Sequence, residues 1–133
     1  MFGNGEGVLK NDKEAFKWFK LAAKQGNKYA QHNLGVRYAN GEGILKDDKE
    51  AVRWWKFAAE NGFADSQINL GLFYANGKGV TQDFVLAYMW LDIASSQGKK
   101  FAMKNRDILK EMMTPQQIEK AQEMVRNWKA KTK

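Results

Sequence analysis

Residues 30–62 read AQHNLGVRYANGEGILKDDKEAVRWWKFAAENG, and the same pattern returns 36 residues later. The glycine motif Asn40-Gly41-Glu42-Gly43 is preceded at this step by Asn4-Gly5-Glu6-Gly7 and followed by Asn76-Gly77-Lys78-Gly79. Four further columns keep the step, namely Ala15/Ala51/Ala87, Trp18/Trp54/Trp90, Ala22/Ala58/Ala94 and Gly26/Gly62/Gly98. Self-similarity at a fixed period of this length is the signature of a repeat protein built from identical supersecondary units.

Each unit is predicted to form two helices, helix A before the glycine motif and helix B after it. In helix A, Ala30, Leu34 and Tyr38 are spaced i, i+4, i+8, which places them on one face. Gly35 lies beside that face. Because a glycine inside a helix costs about 1 kcal/mol relative to alanine, its presence predicts the close approach of a neighbouring helix.

Helix B is predicted to begin at a polar cap. The Asp47 side chain can accept a backbone N–H at the free helix end, and Glu50 would complete a capping box. Asn11 and Asp83 hold the same position in the flanking units. The apolar positions that follow share one face, so the tryptophan column is predicted to lie in the core. One helix pair cannot bury both of its apolar stripes, and stacking of units into a solenoid would bury them.

The 36-residue register sets the predicted domain organisation. Residues 1–133 are expected to form one repeat domain, with a repeat fragment (1–26), two repeats (about 27–62 and 63–98) and a C-terminal cap (about 99–130). Thr114-Pro115-Gln116-Gln117 predicts the start of a capping helix. Residues 2–8 resemble the end of a helix A whose body is missing. The chain is therefore interpreted as a fragment, a truncated reading frame or a protein that covers this open N-terminal end by self-association.

The composition restricts the class of protein. The 133 residues contain 22 Lys+Arg against 15 Asp+Glu, a net charge of +7, and no cysteine. The absence of cysteine excludes disulfides and thiol chemistry and favours a reducing compartment such as the cytoplasm. The sequence contains no signal peptide and no apolar run long enough to span a membrane. The compartment is otherwise unassigned.

The columns that recur between units resemble the Sel-one-like repeat (SLR) family, a relative of the tetratricopeptide repeats. The resemblance is carried by Ala30, Asn33, Leu34, Gly35, Tyr38, Gly41, Gly43, Asp47, Ala51, Trp54, Ala58 and Gly62, and by most of their equivalents one unit later. It implies an all-α fold, a right-handed α-α superhelix of antiparallel helix pairs with a C-terminal capping helix. It also implies an adaptor that holds proteins together. The matching columns are structural, so no functional residue carries over from the family.

The residues available for catalysis are few. His32 is the single histidine, and its column continues with Ile68 and Lys104, which is not the pattern of a retained catalytic group. The serines lack a nucleophile-elbow context, and the glycine motifs follow helices rather than strands. The sequence therefore predicts that the protein is not an enzyme, and neither a cofactor nor a metal is expected.

Partner-binding residues are predicted on the face of helix A that points away from Leu34. They are Tyr29, His32, Val36, Asp65, Ile68, Leu72, Phe101, Lys104 and Ile108. Apolar side chains in a solenoid groove favour a peptide or a helical protein partner. The alternative is that these side chains pack between adjacent A helices.

A lysine-rich face of helix B offers a second function, the binding of nucleic acid or of an anionic membrane surface. Its candidate residues are Lys13, Lys17, Lys20, Lys49, Arg53 and Lys56. Nucleic acid is the less expected partner, because no aromatic side chain is predicted among these cations to stack with bases. A solvated lysine face is the simpler interpretation.

Overall fold

The computed structural model describes the backbone of residues 5–132 and the side chains of residues 13–129. Within these residues the chain forms seven α-helices, which confirms the predicted all-α class. They are α1 (Gly5–Lys24), α2 (Lys28–Asn40), α3 (Asp48–Glu60), α4 (Ala64–Asn76), α5 (Phe84–Ser95), α6 (Lys100–Lys110) and α7 (Pro115–Thr132). Helices α2, α4 and α6 are the predicted A helices, and α1, α3 and α5 are the B helices.

The helices divide into two compact units, of which the first ends at Phe63 and the second begins at Ala64. In the first unit α2 packs against both α1 and α3. In the second unit α5 packs against α4, α6 and α7. The single repeat domain over residues 1–133 stays a prediction.

Two mid-helix glycines allow neighbouring helices to approach closely, as predicted for Gly35. A Cβ at Gly35 would lie 2.9 Å from Cε2 of Trp55, and a Cβ at Gly71 would lie 2.9 Å from Cγ of Leu91. Trp55 also donates a hydrogen bond from Nε1 to the carbonyl of His32, at 3.2 Å. The A and B helices of each unit are therefore packed more closely than a side chain at these positions would permit.

The glycine motif forms a closed turn between α2 and α3. Gly41 and Gly43 have φ values of 71° and 75°, a left-handed conformation that favours glycine. The backbone N–H of Glu42 donates to the carbonyl of Arg37, at 2.9 Å, and that of Asp47 donates to the carbonyl of Tyr38, at 2.8 Å. The connection is thus hydrogen-bonded to the last turn of the helix that precedes it.

The cap of α3 agrees with the sequence except in one detail. Asp47 Oδ1 accepts from the backbone N–H groups of Lys49 (3.0 Å) and Glu50 (3.2 Å), so the predicted cap is present. The predicted capping box is wrong, because the N–H of Asp47 is already bonded to Tyr38. The carboxylate of Glu50 pairs instead with Arg53, at 3.5 Å.

The capping box at α7 is complete. Gln117 Oε1 accepts from the backbone N–H of Thr114 at 2.9 Å, and Thr114 Oγ1 accepts from the N–H of Gln117 at 3.1 Å. This confirms the predicted start of the C-terminal helix.

Helix α1 begins earlier than the sequence predicts. Its backbone is helical from Gly5, so Asn11 lies inside the helix and is not its cap. In the later units the turn is held by carbonyls of the preceding helix A, such as those of Tyr38 and Tyr74. No helix A precedes Gly5 within the described residues, and the backbone there forms helical hydrogen bonds instead.

Candidate interaction surfaces

In the first unit the predicted partner-binding residues lie on α2, and two of them contact Phe63. The Tyr29 ring is 60% exposed and its centroid lies 5.2 Å from that of Phe63, edge to face. The half-buried His32 ring lies 5.0 Å from the same ring and 6.5 Å from that of Trp55. Val36 is half-buried. Tyr29 and His32 of α2 and Phe63, which follows α3, thus form one aromatic surface in this unit.

On α4 the predicted residues differ in accessibility. Asp65 is exposed and pairs with Lys99, at 3.4 Å. Leu72 is half-buried, whereas Ile68 is buried, with 8% of its surface exposed. A partner therefore reaches Leu72 more readily than Ile68.

On α6 the predicted residues are all exposed. Phe101 and Ile108 expose 58% and 52% of their surface, and Lys104 lies exposed between them. Met112, four residues after Ile108, exposes 60%. Met112 is not among the predicted partner-binding residues, and it lies in the turn just after α6. We call Phe101, Ile108 and Met112 the α6 stripe.

The opposite side of α6 is fixed to α5. Ala102 and Leu109 are buried, and Arg106 donates to Asp92 Oδ1 at 2.7 Å and to Ser95 Oγ at 3.1 Å. Burial alone would lower the pKa of Arg106, but its hydrogen bonds to Asp92 and Asp107 outweigh burial, and the pKa is raised. The guanidinium is therefore a permanent charge that holds α6 in position.

The predicted basic-face residues all lie in the first unit, three on α1 (Lys13, Lys17, Lys20) and three on α3 (Lys49, Arg53, Lys56). Two of these cations also contact aromatic rings. Lys20 Nζ lies 5.7 Å from the Phe16 ring centroid, and the Arg53 guanidinium lies 5.2 Å from that of Trp54. Arg53 also pairs with Glu50. Arg53 is thus less available to an anionic partner than the exposed lysines.

The tryptophan column was predicted to be core throughout, and for Trp18 this is wrong. Trp54 and Trp90 expose 6% and 4% of their surface, whereas Trp18 exposes 71%. Trp54 is enclosed by the α1–α2 junction, where Ala23 and Gln31 line the same small cavity. Trp18 has no such junction beside it among the described residues. The expectation that no aromatic side chain accompanies the lysines of α1 is wrong for the same reason.

Trp18 lines an open recess on α1 together with Glu14, Lys17 and Leu21. The recess has a volume of about 470 Å³, and Leu21 is 52% exposed. We call these four residues the α1 recess. Among the described residues of its lining, the two apolar side chains both belong to α1, and one charge of each sign lies beside them.

Two of the residues that line the small cavity of about 270 Å³, Gln31 and Trp54, each carry an unsatisfied polar atom. Gln31 Oε1 and Trp54 Nε1 are buried and, within the described part of the chain, have no hydrogen-bond partner. Gln67, one repeat later, differs because its Oε1 accepts from Gln97 Nε2 at 2.9 Å. The residue equivalent to Gln97 in the first unit is Asn61, whose side chain is one methylene shorter.

Two kinds of site are absent from the described residues. No cluster of three or more His, Asp or Glu side chains there could hold a metal ion. No described helix is long and apolar enough to cross a membrane.

The repeats match a known family. The Sel1 repeat model matches residues 1–27, 28–63 and 64–99. The chain belongs to the Sel1 repeat family, whose α-solenoids of paired helices are related to the tetratricopeptide repeats and serve in general as non-catalytic scaffolds.

Solved structures show the same fold. One is a protective antigen present in uropathogenic Escherichia coli strains that displays an SLR fold. It is 38% identical to this chain over 87% of the chain, with a TM-score of 0.84. A Sel1 repeat protein from Oxalobacter formigenes is 33% identical over 72%, with a TM-score of 0.71. This chain spans only 25% and 40% of those two proteins. A search of the curated proteins found no match.

Proposed function

We propose that this Sel1 repeat chain is a protein-interaction scaffold that binds a peptide or a helical partner on its A helices. The observation that carries the proposal is the α6 stripe, whose three apolar side chains, two on α6 and one in the turn just after it, each expose more than half of their surface. Exposed apolar side chains that adjoin one another are typical of a protein-binding surface.

The spacing of the α6 stripe suits a helical or extended partner. Phe101 and Ile108 are two helical turns apart on α6, and Met112 follows in the turn after the helix. Lys100 and Lys104 are exposed next to them. An acidic partner with apolar side chains at matching intervals would bury the stripe and pair with these lysines.

Rigidity of α6 supports the same proposal. The Arg106–Asp92 ion pair and the buried Ala102 and Leu109 hold the helix on α5 before any partner arrives. A preorganised surface loses little conformational entropy on binding, so more of the contact energy appears as affinity. The aromatic surface of Tyr29, His32 and Phe63 is the corresponding candidate in the first unit.

The proposal can be tested with peptides selected from a display library against the full chain. Binding of a selected peptide, measured by fluorescence anisotropy, is expected to weaken about 30-fold or more in Phe101→Asp/Ile108→Asp, since loss of a buried anchor costs about 2 kcal/mol. The matched control is Leu45→Asp, because Leu45 is 88% exposed and lies outside the A helices.

A further double variant, Lys13→Glu/Lys17→Glu, tests the alternative function. Binding of a DNA duplex or of phosphatidylserine vesicles that falls steeply with salt and is lost in Lys13→Glu/Lys17→Glu would favour the basic face. Selected peptides that bind Phe101→Asp/Ile108→Asp as tightly as the wild type would contradict the role of the α6 stripe.

A further inference from the structure

The small cavity beside Trp54 is not used by the scaffold proposal. It has a volume of about 270 Å³, and its lining includes Lys24, Gln31, Arg53, Trp54 and Phe57. We call it the Trp54 cavity. One water molecule occupies about 30 Å³ of the liquid, and sites for drug-sized ligands measure about 300–1,000 Å³. The Trp54 cavity is therefore of a size for a small ligand of one ring.

Three helices of the first unit form this cavity. Lys24 is the last residue of α1, Gln31 lies on α2, and Trp54 lies on α3. Helix α2 packs against both of the other two helices. The shape of the cavity therefore results from packing among helices that the structure describes.

Both charged side chains in the described lining are cations. Lys24 and Arg53 are exposed, whereas Gln31 and Trp54 are buried, so the positive charge lies on the solvent side of the cavity. Arg53 also pairs with Glu50 at 3.5 Å, but exposed pairs of this kind are weak and a guanidinium has five N–H donors. Arg53 therefore keeps donors for a ligand, and the cavity attracts an anion.

Aromatic rings lie next to these charges. The Arg53 guanidinium is 5.2 Å from the Trp54 ring centroid and 5.9 Å from that of Phe57. The centroids of these two rings are 5.6 Å apart, and Phe57 is 43% exposed. A guanidinium can bind a carboxylate through two parallel hydrogen bonds, and a flat apolar group packs well on aromatic rings. The lining thus suits an anion that carries an aromatic ring.

The next repeat does not carry the same residues. At the columns of the two cations and of Phe57 it has Glu60, Met89 and Ile93. The column of Trp54 is retained as Trp90, which is buried as well. The repeat fold therefore requires the tryptophan but not the two cations or the second ring.

Two buried residues of the lining hold polar atoms without partners. Gln31 and Trp54 expose 5% and 6% of their surface, and within the described part of the chain Gln31 Oε1 and Trp54 Nε1 have no hydrogen-bond partner. In the next repeat the equivalent oxygen, that of Gln67, accepts from Gln97. Buried polar atoms without partners are costly, and they often mark a place where water, an ion or a ligand binds. They favour a ligand with polar groups over a purely apolar one.

From these observations we infer that the Trp54 cavity binds a small aromatic carboxylate. The carboxylate pairs with Lys24 and Arg53, and the ring packs on Trp54 and Phe57. The cavity lies on other helices than the α6 stripe, so the inference does not rest on the proposed function.

Benzoate and benzamide test the inference against the full chain, because they share a ring and differ in charge. In heteronuclear NMR titrations benzoate is expected to shift the indole N–H signal of Trp54, which is assigned by its loss in Trp54→Phe. Benzoate should bind about 10-fold more tightly than benzamide, since hydrogen bonds to a charged group are stronger than neutral ones. Acetate, which has the charge without the ring, should bind more weakly than benzoate.

Two variants assign the binding to the cavity. Lys24→Glu/Arg53→Met, which introduces the residues of the next repeat at these columns, should abolish the preference for benzoate over benzamide. The matched control is Lys56→Gln, which removes an exposed cation of α3 outside the described lining and should change neither affinity.

Several results would overturn the inference. Equal affinity for benzoate and benzamide, or a preference that persists in Lys24→Glu/Arg53→Met, would show that the two cations do not select the ligand. Binding of inorganic phosphate as tight as that of benzoate would show that the cavity takes anions without regard to a ring. A Trp54 signal that none of these compounds shifts would leave the cavity to water. Unchanged circular dichroism of each variant ensures that the comparison concerns folded protein.

Discussion

Replacing Asn61 by glutamine is expected to stabilise the first unit. Gln31 Oε1 is buried without a partner within the described residues, whereas the equivalent oxygen of Gln67 accepts from Gln97. The backbones match, since the N–H of Asn61 donates to Ala58 at 3.1 Å and that of Gln97 to Ala94 at 3.0 Å. The longer side chain of Asn61→Gln can therefore supply the missing donor.

The expected gain follows from the hydrogen bond and its entropic cost. An unsatisfied buried acceptor costs about 1–3 kcal/mol, and ordering a glutamine side chain costs up to about 2 kcal/mol. The net gain in the free energy of unfolding is therefore about 0.5–1 kcal/mol. For a chain of this size, that corresponds to a rise in Tm of about 2–4 °C.

Thermal and urea unfolding followed by circular dichroism measure the gain, and a double-mutant cycle assigns it. The increase should disappear when Gln31→Met is also present, because methionine offers no comparable acceptor. The reverse change, Gln97→Asn, should destabilise the protein by a similar amount. A Tm that does not rise in Asn61→Gln, or a rise that persists beside Gln31→Met, would refute the assignment of the unsatisfied oxygen.

Two further predictions concern the contacts that hold the helices together. Gly35→Ala should lower the free energy of unfolding, measured in urea, by about 1–2 kcal/mol, because overpacking against the Trp55 indole exceeds the gain in helix propensity. When Trp55→Phe is also present, Gly35→Ala should cost less. Additive effects of the two substitutions would show that the added methyl group does not clash with the indole. Arg106→Met should cost about 1–3 kcal/mol by leaving Asp92 unpaired in a partly buried position. The free energy of unfolding of Arg106→Lys should lie between those of Arg106→Met and the wild type. Equal stability of all three proteins would show that the ion pair contributes nothing.

The repeat architecture could be predicted from the sequence because its columns depend on contacts within one unit. Gly35 is needed because Trp55 approaches it closely, and Asp47 caps the start of α3. Both contacts lie within one helix pair, α2 and α3. The family match and the SLR-fold structures agree with this part.

The surfaces were harder to predict because exposure depends on which element lies beyond the repeat. Trp18 and Trp54 hold the same column, yet only Trp54 is enclosed by a preceding helix junction in the described structure. Ile68 and Ile108 both belong to the predicted partner-binding face, yet one is buried and the other is more than half exposed. A repeat column specifies the position of a residue within its unit. The elements packed against that unit determine how much of the side chain is exposed to solvent.

Because the tryptophans are unequally buried, the intrinsic fluorescence of this protein contains separate contributions from buried and exposed side chains. Trp55 and Trp90 expose 2% and 4% of their surface, so their emission reports on the cores of the two units. Trp18, exposed to 71%, emits from a hydrated environment that an added quencher such as acrylamide reaches first. A change in the surroundings of Trp18 and loss of the folded core would therefore change different parts of the same emission spectrum.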